Sequence, residues 1–144
     1  MKYKFWAIPV IVAVVLYLVQ FSIPQIIGAD GYLHWSMRGI SQGLPQAKFS
    51  WFASYFSDKD FVYHLMLLPF SSPKFAAWFM NVIFVFTFAF VAKKIAGPIT
   101  GGLAVFGLLF SSQFLRDISE LRPVVLAMAL SVVGLWAIVN KKIG

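Results

Sequence analysis

Cysteine is absent from all 144 residues. That excludes disulfides, thiolate metal ligands and a cysteine nucleophile, and leaves the redox compartment unread. Charge is scarce too: Asp, Glu, Lys and Arg make up 12% of the chain, against ~25% in ordinary soluble domains. With 60% of residues apolar and 18% aromatic, a soluble globular fold is excluded and an integral membrane protein is expected. Acids are the scarcest charges, five against twelve Lys and Arg, for a formal charge of +7. In a soluble chain that imbalance would point to nucleic acid. Here the lysines stand in pairs beside apolar runs, where they set topology and meet anionic headgroups, so no nucleic-acid partner is expected. Three signatures are missing as well: a Gly-rich phosphate loop, H-E-x-x-H and G-x-S-x-G. Each would have placed a nucleotide, a catalytic zinc or a serine nucleophile.

Long uncharged runs are what the chain does have. Phe5 to Ile27 carries no charge, and at ~1.5 Å per residue it can cross a ~30 Å hydrocarbon core. Its apolar stretch exceeds the ~7 to 15 residues of a signal peptide, so it reads as an uncleaved span. Further runs cover Phe75 to Ala92, closed by Lys93 and Lys94; Ile95 to Phe114, loosened by Gly97, Pro98, Gly101, Gly102 and Gly107; and Val124 to Val139, which reaches spanning length from Arg122 or Pro123 and is closed by Lys141 and Lys142. The expected fold is an all-α integral membrane protein forming one membrane domain over 1–144. It has about four transmembrane helices, near 5–27, 75–92, 95–114 and 123–140, and a charged external turn near 115–122. The first loop, near 28–74, is long and extracytoplasmic and holds amphipathic interfacial helices. Its Phe49 to Phe56 piece interleaves aromatics with serines, a composition that settles at the headgroup level. Four spans put both termini on one side together with Lys2/Lys4, Lys93/Lys94 and Lys141/Lys142. By the positive-inside tendency that side is the cytoplasm. The expected location is a bacterial or archaeal cytoplasmic membrane.

The polar interval from Ile27 to Phe70 holds three of the five acids, both histidines and one of the three arginines. Asp30, His34, Arg38 and Gln42 follow at steps of four, so a helix from Tyr32 to Gln42 gives them a common face. Asp60 and His64 repeat the acid-to-histidine spacing, with Asp58 beside them. Carboxylates with nearby imidazoles act as a general base or hold a cation through oxygen and nitrogen; solvated helix ends account for the same residues without chemistry. No cofactor is fixed by this pattern, although Asp30 and Asp60 leave room for a divalent cation, magnesium or manganese. Near the third run, Arg116, Asp117, Glu120 and Arg122 form a charged turn in which Arg116 and Glu120 are expected to pair at i, i+4. Their guanidinium groups match phosphate oxygens.

The ordered set D-G-Y-L-H-W-S-M-R-G-I directly after the first span, W-F-A-S-Y-F-S-D-K-D-F-V-Y-H-L-M-L-L-P-F in the loop, and L-R-P opening a later span resembles the N-terminal part of GT-C superfamily membrane glycosyltransferases. That group includes protein mannosyltransferases and oligosaccharyltransferase-like enzymes. The resemblance implies a polyprenyl-phosphate-linked sugar donor and chemistry on the extracytoplasmic face. Carried over by position, it implies Asp30 and Asp60 as catalytic residues, with His34, Arg38, Asp58, His64, Arg116 and Arg122 in donor binding. Members of the superfamily have more than four spans. The chain is therefore expected to act as the N-terminal piece of a longer enzyme or with a partner membrane protein. The alternative is a non-catalytic subunit or assembly factor whose external loop binds a partner.

Overall fold

The computed structural model describes residues 2–22, 28–37 and 61–140. Every regular element among them is helical: α1 (Lys2–Ser22), α2 (Gly28–Met37), α3 (Phe61–Leu67), α4 (Pro73–Gly107) followed by a 3-10 turn (Leu108–Phe110), α5 (Ser112–Ser119) and α6 (Pro123–Asn140). Three are long and apolar enough to cross a membrane: α1, α6, and α4 with its 3-10 turn. The chain is a multi-pass membrane protein.

Local chemistry sets where these helices begin. Ser72 lies extended before α4 and its hydroxyl accepts from the Phe75 N–H at 3.4 Å, with Pro73 in the first helical position; a hydroxyl cap satisfies an orphan donor, and proline has none to lose there. Ser111 caps α5 likewise, accepting from the Phe114 N–H at 3.2 Å. Inside α1, α4 and α6 the apolar residues run all round the helix, as lipid-facing helices require.

Helix α4 is not straight. Gly97 has φ 81° and ψ 174°, a backbone region open essentially to glycine alone, and Pro98 behind it favours extended backbone at the preceding residue. In a straight helix Lys93 and Gly101 would stand about 12 Å apart along the axis. Instead, a Cβ built on Gly101 would lie 2.8 Å from the Lys93 backbone nitrogen. The chain therefore doubles back at Gly97. A leading arm from Pro73 to Ala96 packs against a return arm from Pro98 to Phe110, and hydrogen at Gly101 is what lets the backbones meet.

The leading arm is the centre of the bundle. Helix α1 runs antiparallel to it: Trp6 stacks on Phe86 at 6.3 Å, Tyr17 meets Trp78 edge-on at 5.5 Å, and the Trp78 indole N–H donates to the Ala13 carbonyl at 3.0 Å. Helix α6 runs parallel to the arm, with Trp136 against Phe90 at 5.5 Å. Val12, Leu16, Ala77, Met80, Phe84, Val85, Ala89, Val105, Leu121 and Val125 close the core between them. One end gathers Lys93, Lys94, the start of α1 and the end of α6. The other gathers α3 and the start of α4, where Phe70 rests on Phe75 and Phe79.

This differs from the four separate spans near 5–27, 75–92, 95–114 and 123–140. The lysine pair does not interrupt α4, because the Lys93 ammonium lies over the Phe5 and Trp6 rings at 4.8 and 4.9 Å and Lys94 over Phe90 at 5.7 Å, which lets the helix continue to Ala96. After the fold-back only Pro98 to Phe110 remains before α5, about 21 Å of rise, short of a ~30 Å core. Part of the expected external turn near 115–122 is helix α5 itself. Helix α1 is described to Ser22, and the Phe49 to Phe56 piece lies outside the described residues.

Candidate functional site

Helices α2 and α3 are short, and what joins them is polar. His34 Nδ1 and His64 Nε2 are 2.9 Å apart, across thirty residues of sequence. One ring N–H donates to the bare nitrogen of the other, so the contact stands only while at least one ring is neutral. The rings are tilted by 39° with centroids 5.1 Å apart, and Tyr63 meets His34 edge-on at 5.5 Å. His64 and Tyr63 are each only 3% exposed. Tyr63 also belongs to the buried core of the bundle, so the pair is anchored there. Phe61–Leu67 forms a helix too short to stand alone; burying Tyr63 and Leu67 is what holds it.

Asp30 lies in the first turn of α2, one turn ahead of His34, as its spacing predicted; its side chain lies outside the described residues. The helix expected from Tyr32 to Gln42 begins earlier, at Gly28, and is described to Met37. Arg38, Gln42, Asp58 and Asp60 also lie outside the described residues. In sequence Asp60 directly precedes α3, four positions before His64. Among the described residues no group of three His, Asp or Glu could hold a metal ion.

The charged turn is rearranged. Arg116 and Glu120 are not partners: Arg116 Nε approaches Asp117 Oδ1 at 3.8 Å, while Arg122 Nε pairs with Glu120 Oε2. The i, i+4 rule needs helix through both positions, and α5 stops at Ser119, with Glu120 already extended at φ −109° and ψ 148°. Asp117 also accepts from the Gln113 amide at 2.8 Å. Arg116 lies in the last turn of α5 and Arg122 just beyond its end.

Asn81 escaped the sequence reading. It is 2% exposed, and its amide donates to the Ile118 carbonyl at 2.9 Å. That carbonyl lies in the last turn of α5, where helix acceptors lack an internal partner. The available signal was a lone amide inside the apolar 75–92 run.

No family model matches this chain, and no curated protein or solved structure is similar to it.

Proposed function

We propose that this chain is a GT-C-like glycosyltransferase module that transfers a sugar from a polyprenyl-phosphate-linked donor, on the face away from the lysine pairs. The observation that carries the reading is the 2.9 Å contact between His34 and His64. It joins the histidines of the two D-x-x-x-H stretches, 30–34 and 60–64, which supports reading the two stretches as parts of one site. A site at the membrane surface would let a polyprenyl tail stay in lipid while its phosphate-sugar head meets the carboxylates.

In this reading Asp30 takes the proton of the acceptor as the acceptor atom bonds to the anomeric carbon. The bond from that carbon to the donor phosphate breaks, and the phosphate keeps the electron pair. Asp60 is the second carboxylate, for electrostatic support or a divalent cation. His34, Arg38, Asp58 and His64 contact the donor, and Arg116 and Arg122 offset the phosphate charge. The lysine end lies in the cytoplasm, and further spans or a partner membrane protein complete the donor site.

Transfer from a polyprenyl-phosphate sugar, measured in membranes that also hold those further spans, tests the assignment. Asp30→Asn is expected to lose at least ~10²-fold in rate, the lower range for a general base, while insertion is unchanged. Activity within a few-fold of the unsubstituted protein overturns the role of Asp30.

A further inference from the structure

Helix α2, with ten residues, is shorter than the ~12 to 15 a helix needs to persist alone. Its place therefore depends on what it docks against. Tyr32 and Leu33 are exposed, Trp35 packs against the core of the bundle, and His34 meets the buried His64 of α3 at 2.9 Å. That last contact has a stoichiometry. With no added proton, or with one, a ring N–H on one side finds a lone pair on the other. With two, both nitrogens carry hydrogen, no acceptor remains, and two like charges stand at hydrogen-bond distance, a state that burial and repulsion both oppose. The docked pair thus takes up one proton and the separated pair two. The other titratable groups on the surrounding elements are few: Tyr63 on α3, edge-on to His34 and 6.1 Å from His64; Asp30 in the first turn of α2; Asp60, which precedes α3 in sequence; and Lys74 in the first turn of α4. Helix α1 carries no charge after Lys4.

We infer that the His34–His64 contact is an acid-operated latch, in which uptake of a second proton releases α2 from α3 while the bundle stays folded. Lower pH favours the state that binds more protons, so the ratio of released to docked α2 rises as pH falls, by up to about tenfold per pH unit. The rise belongs on the acid side of the ordinary imidazole value of about 6.5; above it the contact holds. Asp30 rides on α2, so under the function proposed above an opened latch also takes the base from its site. The latch itself does not depend on that function.

The test is double electron–electron resonance on the full chain in nanodiscs, with spin labels at Tyr32→Cys on α2 and Ile99→Cys on the return arm. Both positions are exposed, and the chain has no other cysteine. One distance population is expected at pH 7.5, and a second should grow between pH 6.5 and 5.5, its ratio to the first rising several-fold and at most about tenfold. His34→Gln and His64→Gln each leave an amide that donates and accepts, so the contact survives in either charge state of the remaining ring and the pH response should vanish. Labels at Val10→Cys and Ile138→Cys, exposed on α1 and α6, should keep one distance throughout. An unchanged Tyr32 distance down to pH 5 overturns the latch. So does an undiminished response in both glutamine variants, or a parallel shift of the α1 and α6 labels, which would mean that the whole bundle yields to acid. Because the readout is a distance and not sugar transfer, its outcome is independent of the role proposed for Asp30.

Discussion

A single contact, His34 Nδ1 to His64 Nε2 at 2.9 Å, joins the two short helices beside the bundle. Its energetic weight is measurable by a double-mutant cycle with His34→Ala and His64→Ala, read as unfolding in mixed micelles. A coupling of about 0.5 to 1.5 kcal/mol is expected for a hydrogen bond of this kind; additivity within error would make the two rings mere neighbours. Asn81 carries a comparable load, and Asn81→Leu should destabilise by about 1 to 2 kcal/mol, leaving the Ile118 carbonyl without its donor. The sequence made each histidine visible through its acid four positions earlier, because that spacing is local. It could not show that the two histidines meet, since a contact across thirty residues depends on how α3 packs into the core of the bundle. The failure at Arg116 and Glu120 has a local cause: the pairing rule was applied across a helix terminus that only the cap geometry of Glu120 reveals.

Elements were legible wherever apolar length decides them. Helices α1, α4 and α6 lie where the uncharged runs are, and the piece around His34 is helical, though over Gly28–Met37 and not from Tyr32. The glycines of the third run were not separable by composition, because they do different things. Gly97 supplies a backbone conformation, Gly101 supplies closeness to the Lys93 backbone, and Gly107 faces open space. A substitution series separates them. Gly101→Ala should destabilise by about 1 to 3 kcal/mol, since a backbone atom at 2.8 Å cannot turn aside. Gly97→Ala should lose a similar ~1 to 3 kcal/mol through strain alone. Gly102→Ala meets the tip of Ile8 at 2.6 Å, which can rotate away, and the Phe5 ring at an ordinary 3.9 Å, so its effect is smaller; Gly107→Ala should be neutral. Equal effects at Gly101 and Gly107 in a detergent unfolding titration would contradict the fold-back.

For the molecule as a whole, the bundle has a lysine end and a histidine end, and the proposed function needs the second to lie outside the cytoplasm. The cysteine-free sequence makes this simple to check. Ser112→Cys on α5 should react with an impermeant maleimide in intact cells, whereas Ala96→Cys at the lysine end should react only after permeabilisation; the reverse pattern would invert the orientation. A different consequence follows from the short return arm. Starting from Gly97 at the lysine end, it reaches Phe110 after about 21 Å, and α5 then docks on Asn81, about 12 Å along the leading arm from Pro73. Beside this segment, which rises about two-thirds of a ~30 Å core, the remaining third has no membrane-crossing helix among the described residues to match it. Hydrophobic mismatch is relieved by local thinning, at fractions of a kcal/mol per Å, so the protein should be more stable in bilayers of shorter acyl chains, and unfolding measured across a chain-length series reads that slope directly. Thinning of this kind would fall on the histidine side, drawing headgroups toward α5, and a lipid-borne phosphate would then be presented below the level of the surrounding leaflet.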